Sequence, residues 1–298
     1  MDSRDDELRR LRDRVDASEA DNRDLRVQGK ADAREIADLR EEAGHHDEVL
    51  LKVRDELAAA ELELGDLRAV RDALTPPKLP ERPGLTFAAS FLPASHRVSG
   101  DFYIAAEGPE NSTVMVVGDV VGKGPQAARR AAFVRTTFAT TARFSDDPCR
   151  LLEWANVALT ERAGYTADFV TAACVTFRPE TRRLRWAFAG HPPPLWLGDG
   201  DELSTKGMGA PLGIDKTIGC SEGTEDLHEG DGVLMYTDGL VEARRDGDLF
   251  GVTRAGTVLR EMAGQPADAV VARLRDAATE YSAGELQDDL CLLAVRAS

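Results

Sequence analysis

Residues 113–124 read TVMVVGDVVGKG, an apolar run that stops at Asp119 and continues into a glycine-rich turn. Residues 232–240, GVLMYTDGL, form a second apolar run that ends in the same way, with Asp238 followed directly by Gly239. Short β-branched and aliphatic runs of this kind predict buried strands. Glycine beside a strand end allows a tight turn and close approach by an ion. The two stretches therefore predict strands that place a carboxylate at each end.

The rest of the C-terminal region predicts further strands together with several helices. Helical periodicity predicts helices at 125–143, 148–162 and 266–282, with a shorter one near 254–262. Strands follow one another in pairs and helices come in blocks, which indicates antiparallel sheets with helices outside them. The predicted fold class is α+β. Alternating or β-branched runs predict seven strands, at 85–91, 101–106, 113–119, 169–177, 184–189, 232–237 and 290–296.

The N-terminal region has a different composition. Residues 1–74 are highly charged and contain no Pro and no aromatic side chain, so they lack material for a compact core. A heptad register with Leu8 at position a continues to Leu74 and predicts a coiled-coil helix for dimerisation or regulation. Asn22 at an a position favours a parallel homodimer. Residues 75–84, TPPKLPERPG, are a Pro-rich linker, and residues 85–298 are the globular domain.

Composition limits the partners and the compartment. The formal net charge of −16 argues against binding to nucleic acid or to an anionic membrane surface. No apolar run reaches the roughly 20 residues that cross a bilayer, and we expect a cytoplasmic protein. The four cysteines show no metal-binding spacing, so the sequence predicts reduced, structural thiols at Cys149, Cys174, Cys220 and Cys291.

Four acidic residues lie at or beside predicted strand ends. They are Asp101 in SGDFY, Asp119, Asp238, and Asp288 with its neighbour Asp289 in ELQDDLCLL. No basic residue beside them supplies a partner, and hard oxygen ligands select Mg²⁺ or Mn²⁺ over zinc. A shared metal site explains the set. Separate roles as turn or helix-capping residues also explain each aspartate, and the residues alone leave both interpretations open.

Eight ordered motifs favour the shared site. They are SGDFY, GDVVGKG, FVTAACVTF, FAGHPPPL, GAPLGI, YTDGLVEA, LFG and DDLCLL. Together they resemble the bacterial SpoIIE-type branch of the PPM metal-dependent serine/threonine phosphatases over nearly all of residues 85–296. The resemblance implies an antiparallel β-sandwich flanked by helices, with two Mn²⁺ or Mg²⁺ ions at one edge. It also implies a phosphoserine or phosphothreonine substrate on a STAS-type anti-anti-sigma factor of a bacterial partner-switching pathway.

The resemblance assigns a role to each position. Asp119 would bridge both ions, with the backbone carbonyl of Val120 as a further ligand. Asp238 and Asp288 would hold one ion, and Asp101 would support the site. Asp119 and Asp238 would act in catalysis through metal-bound water, so that hydroxide attacks phosphorus directly and no phosphoenzyme forms.

The first motif departs from the family pattern, which resembles GGDFYD. Ser99 replaces its first Gly and Ile104 its final Asp. These departures keep a rival open, in which the domain is a pseudophosphatase scaffold that binds a partner without turnover.

Three further features carry less weight. GDVVGK is one residue short of a phosphate-binding P-loop and its Lys123 precedes Gly, so we reject a nucleotide site. His191 lies in a Pro-rich turn, which favours a structural or surface role. The arginines after GKG, at positions 129, 130 and 135, either meet an acidic partner or form a solvated helix face.

Overall fold

The computed structural model of the protein describes residues 79–93, 99–163, 169–284 and 286–298, together with Gln28 and residues 52–54 and 56–57. The helices of the C-terminal part are α1 (Pro125–Thr141), α2 (Pro148–Ala163), α3 (Asp238–Val241), α4 (Gly251–Glu261) and α5 (Ala267–Tyr281). Short 3₁₀ turns occupy Pro109–Asn111 and Ala142–Phe144. The strands are β1 (Leu85–Leu92), β2 (Phe102–Glu107), β3 (Thr113–Val120), β4 (Val170–Arg178), β5 (Arg183–Ala189), β6 (Leu195–Trp196), β7 (Gly223–Asp226), β8 (Gly232–Tyr236), β9 (Arg244–Arg245), β10 (Asp248–Leu249) and β11 (Leu290–Ala297).

The strands form two main sheets. Sheet I has the order β1-β11-β8-β6, and sheet II has the order β2-β3-β4-β5-β7. Neighbouring strands in both sheets are antiparallel. A separate hairpin joins β9 to β10. The predicted α+β class with antiparallel sheets is confirmed.

Strand alternation divides the buried side chains among three cores. Successive residues of a strand point to opposite faces, and β3 shows the consequence. Met115 and Val117 pack between the two sheets. Val114 and Val116 pack on the other face of sheet II, against residues of α1 and α2 such as Val134 and Leu151. A third core packs sheet I against α3, α4 and α5. The domain therefore has four layers, with helices outside a sandwich of sheets.

The register of the strands brings four strand ends to one edge of the sandwich. In sheet II the start of β2 faces the end of β3, since Phe102 pairs with Gly118. In sheet I the end of β8 faces the start of β11, since Tyr236 pairs with Leu292. Each predicted aspartate lies at or next to one of these four ends.

The long predicted elements agree with the structure, with shifts of one to three residues at their ends. The four short strands β6, β7, β9 and β10 and the one-turn helix α3 were not predicted, because elements of two to four residues show no measurable periodicity. The predicted coiled coil falls almost wholly outside the described residues. The coiled coil, the homodimer and the domain boundaries therefore stay predictions.

The prediction of four reduced cysteines is wrong for one pair. Cys149, at the start of α2, forms a disulfide with Cys220, in the segment before β7. The two residues are 71 positions apart, so no local spacing indicated the bond. Cys174 and Cys291 are free and buried in the strands of the cores. Among the described residues, no helix combines the length and apolar character needed to span a bilayer.

Candidate metal centre

Asp101 is the most deeply placed of the four aspartates, with only 8% of its surface exposed. Its carboxylate accepts a hydrogen bond from Thr237, over 2.6 Å between Oγ1 and Oδ2. Its backbone N–H donates to Oγ of Ser99 over 2.9 Å. Burial, followed by the charge of Asp119, raises the pKa of Asp101 well above its usual value, while the Thr237 hydrogen bond opposes that shift. A buried carboxylate in this setting requires a positive partner in order to ionise.

Asp119 lies beside Asp101, near the end of β3. Their carboxyl groups are within hydrogen-bonding reach of each other. Burial is the main cause that raises the pKa of Asp119, and the charges of Asp288 and Asp289 add to it. Gly100, directly before Asp101, lies against these groups and has no side chain to fill the space between them. A Cβ there would lie 2.6 Å from the carbonyl oxygen of Val120 and 3.3 Å from Oδ1 of Asp119. The predicted carbonyl ligand and the predicted bridging carboxylate thus face the same small space.

Asp238 enters the cluster from sheet I, as the first residue of α3. Burial, then the charges of Asp119, Asp288 and Glu242, raise its pKa to about 6. Gly239 packs against the chain before β11 so closely that a Cβ there would overlap the carbonyl oxygen of Asp289. This close approach fixes the start of α3 against the turn that carries Asp288.

Asp288 closes the cluster on its exposed side. Its side chain is 44% exposed, and Oδ1 lies 3.3 Å from Nζ of Lys123. Lys123 also donates to the carbonyl of Gln287 over 3.1 Å. The loop after β3 is therefore tied to the turn before β11. Asp289 interacts electrostatically with Asp101 and Asp119.

The donor chemistry fits hard divalent cations. The cluster offers carboxylate oxygens and a backbone carbonyl, the ligands that Mg²⁺ and Mn²⁺ prefer. Burial and then mutual repulsion raise the pKa values of Asp101, Asp119 and Asp238, and a bound cation would lower them. Among the described residues, no three Asp, Glu, His or Cys side chains are gathered closely enough to form a complete metal-binding group. The structure thus contains a converging set of donors rather than a finished coordination shell.

Sequence reasoning missed the residues that support the donors. Thr237 donates to Asp101 and accepts a hydrogen bond from the N–H of Cys291 over 3.1 Å. The sequence indicates Lys123 only as part of a rejected nucleotide motif and gives no sign of its contact with Asp288. The position of Thr237, directly before Asp238 in YTDGL, was the available signal, because a polar residue at the end of a buried strand needs a partner.

The two departures in the first motif receive different explanations. Ser99 is not among the non-glycine residues with positive φ, so its backbone conformation suits a side chain. Its hydroxyl caps the turn by accepting from Asp101 N–H. Ile104 is 6% exposed and packs in the apolar core between sheet II and the helices. Neither residue removes a predicted ligand.

His191 is a buried structural residue. Its Nε2 lies 3.0 Å from the carbonyl oxygen of Tyr236, and its Nδ1 lies 2.9 Å from Oγ1 of Thr171. Because a carbonyl only accepts, Nε2 carries the proton and Nδ1 accepts from the threonine. Burial lowers the pKa of His191 to about 4. The ring is therefore neutral at neutral pH and links β4 to the end of β8.

Solved structures share this architecture. The structure of the RsbU and RsbW domains of Rv1364c from Mycobacterium tuberculosis is similar with a TM-score of 0.63 and 27% identity, over 74% of this chain and 61% of that chain. The SiaA-PP2C domain of Pseudomonas aeruginosa is similar with a TM-score of 0.67 and 25% identity, over 81% of this chain and 100% of that chain. The fold is that of the PP2C-type phosphatases, a class of metal-dependent hydrolases.

Sequence similarity then gives the family. The sequence profile of Stage II sporulation protein E (SpoIIE) matches residues 109–298, and the chain belongs to this family. The phosphoserine phosphatase RsbU of Bacillus subtilis (strain 168) is 23% identical over 231 residues, which are 76% of this chain and 68% of RsbU. The matched family span contains Asp119, Asp238 and Asp288 and begins after Asp101, the aspartate in the motif that departs from the pattern.

Proposed function

We propose that this protein removes phosphate from phosphoserine or phosphothreonine of a partner protein, with two Mn²⁺ or Mg²⁺ ions as cofactors. The observation that carries the proposal is the convergence of Asp101, Asp119, Asp238 and Asp288 from both sheets at one edge of the sandwich. Repulsion among these carboxylates is the feature that a phosphatase metal centre exploits, since bound cations relieve it.

Each residue of the proposed site has its own role. The ions would be held by Asp119, the carbonyl of Val120, Asp238 and Asp288. Asp101 lies beside Asp119 and would support it. Bound divalent cations offset phosphate charge and lower the pKa of the attacking water. Thr237 keeps the Asp101 carboxylate oriented, and Gly100 and Gly239 keep the backbone close enough for the donors to converge. No nucleophilic side chain is needed, which agrees with direct hydrolysis.

The proposed substrate is a STAS-type anti-anti-sigma phosphoprotein of a partner-switching pathway in the cytoplasm. Two relatives support it: RsbU is named a phosphoserine phosphatase, and Rv1364c joins an RsbU domain to an RsbW domain. We also propose that residues 1–74 hold two chains together as a coiled-coil homodimer, so that the linker 75–84 connects the dimer to the phosphatase domain.

The test is phosphate release from a phosphoserine protein by the full chain, with and without Mn²⁺. We expect Mn²⁺-dependent turnover that Asp119→Asn and Asp238→Asn each reduce by at least about 100-fold, because each change removes a charged ligand. Asp248→Asn is the matched control, since Asp248 is an exposed residue of the β10 hairpin. Equal activity in all four proteins would refute the site assignment.

The rival function, a scaffold without turnover, rests on the altered first motif. Stable binding of a phosphoprotein with no phosphate release in Mn²⁺ or Mg²⁺ would favour it over the enzyme.

A further inference from the structure

A small basic cavity lies between the first turns of α1 and the last turn of α2, apart from the acidic cluster. Its volume is about 170 Å³. It is lined by Gln126, Arg129, Arg130, Phe133, Leu159 and Arg162.

The charge of this cavity contrasts with that of the chain. The protein has 53 acidic and 37 basic side chains, yet the cavity lining contains three arginines and no carboxylate. Helix α1 has no Asp or Glu along its whole length. Within the described ranges, no ion pair involves Arg129 or Arg162. Arg129 and Arg162 therefore place positive charge in this cavity, and the described ion pairs do not involve either of them.

The geometry of one arginine is fixed by an aromatic ring. The guanidinium of Arg162 lies over the ring of Phe133, 4.4 Å from its centroid. This cation–π contact holds the planar group while leaving its N–H donors at the edge. A guanidinium held in this way loses little conformational entropy when it pairs with a carboxylate, which it recognises through two parallel hydrogen bonds.

A short stretch of chain connects the cavity to the candidate metal centre. Helix α1 begins at Pro125, five residues after Val120, and Arg129 and Arg130 lie in its first two turns. At 1.5 Å per residue these arginines are within about 8 Å of the helix start along its axis. The five residues from Val120 to Pro125 span at most about 17 Å, so the arginines lie within about 25 Å of Val120. An extended peptide, which advances about 3.3 Å per residue, covers that distance in at most about eight residues.

We infer that the cavity receives a carboxylate side chain of the protein substrate, an Asp or Glu a few residues from the phosphorylated position. The inference rests on the proposed function and deepens it, because it makes the enzyme selective for phosphorylated segments with acidic flanks. Arg129 and Arg130, two of the three arginines after GKG, then contact the acidic partner. The remaining interpretation, a solvated helix face, predicts no such selectivity.

Binding of two synthetic peptides to the full chain tests this inference. Both peptides carry a non-hydrolysable phosphonate analogue of phosphoserine, one with Glu at the flanking positions and the other with Gln. Affinity is measured by fluorescence anisotropy in Mn²⁺. We expect the Glu peptide to bind about tenfold more tightly than the Gln peptide, because two or three solvent-exposed ion pairs supply about that much affinity. The ratio of the two affinities should fall toward one in high salt, which screens ion pairs.

Single variants locate the effect. Arg129→Gln and Arg162→Gln are each expected to reduce the ratio several-fold. Arg143→Gln, an exposed arginine in the 3₁₀ turn beyond α1, removes the same charge elsewhere and should leave the ratio unchanged. Equal binding of the two peptides by the unmodified chain overturns the inference, and so does an equal loss in Arg143→Gln. Failure of the proposed function has a different signature, which is the absence of phosphate release from any phosphoprotein.

Discussion

Thr237 and Asp101 join the two sheets at the edge where the acidic cluster lies. The hydroxyl of Thr237, at the end of β8 in sheet I, donates to the carboxylate of Asp101, just before β2 in sheet II, over 2.6 Å. The same hydroxyl accepts from the N–H of Cys291 in β11 over 3.1 Å. One side chain thus connects three strand ends and orients a buried carboxylate.

Replacing Thr237 with Val keeps the shape of the side chain but removes both hydrogen bonds. The Asp101 carboxyl and the Cys291 N–H would remain buried without this partner, so we expect a loss of about 1–3 kcal/mol in the free energy of unfolding. Urea unfolding of the metal-free full chain measures it. Thr237→Ser retains the hydroxyl and should recover most of the stability. A Val variant as stable as the Ser variant would show that the hydroxyl has no structural importance.

Gly239→Ala tests the close packing of α3 against the turn before β11. The added methyl group overlaps the carbonyl oxygen of Asp289, so the backbone must move and we expect a loss of about 1–3 kcal/mol. Gly198→Ala is the control, because a Cβ at Gly198 meets nothing within 4 Å. Thermal or urea unfolding compares the two variants, and equal stability would contradict the packing described here.

The sequence was sufficient for the strands that carry the aspartates and insufficient for the contacts between them. Asp119 and Asp238 were placed at strand ends because apolar runs typical of buried strands precede them. The bond between Thr237 and Asp101 joins residues 136 positions apart, and only the packing of one sheet on the other creates it. The interaction of Lys123 with Asp288 likewise depends on two loops from different sheets.

His191 makes stability depend on pH between about 4 and 6.5. Its pKa is about 4 in the folded state and roughly 6.5 when unfolded. The unfolded chain therefore takes up the proton first as pH falls, and the folded state loses stability through this window. We expect His191 to account for about 2 kcal/mol of the loss between pH 7.5 and pH 5.

Urea unfolding of the full chain and of His191→Gln at both pH values isolates this contribution. Gln retains a donor for the carbonyl of Tyr236 but does not titrate, so the variant should lose less stability on acidification. Parallel losses in the two proteins would show that His191 titrates normally in the fold.

The disulfide between Cys149 and Cys220 predicts a definite thiol count. In protein purified without reductant and then denatured, two thiols per chain should react with a thiol reagent, those of Cys174 and Cys291. After reduction all four should react. The disulfide joins residues 71 positions apart. We therefore expect its reduction to lower the free energy of unfolding by about 2–4 kcal/mol. Four reactive thiols before reduction would restore the interpretation of reduced cysteines that the sequence suggested.

The cysteines and Ile104 show two different limits of prediction from the sequence. Cys149 and Cys220 carry no motif, because disulfide pairing across 71 positions depends on the fold. Ile104 was conspicuous only by comparison with a family pattern, and its burial under the helices shows a packing role that the pattern does not convey.

Binding of Mn²⁺ to the full chain, measured by titration calorimetry, tests the central claim most directly. We expect two ions per chain, with affinity reduced at least about tenfold in Asp119→Asn because the change removes a charged oxygen ligand of the proposed site, and unchanged affinity in Asp248→Asn. Failure of the unmodified protein to bind Mn²⁺ or Mg²⁺, or equal binding by Asp119→Asn, would contradict the metal centre proposed for this edge of the sandwich.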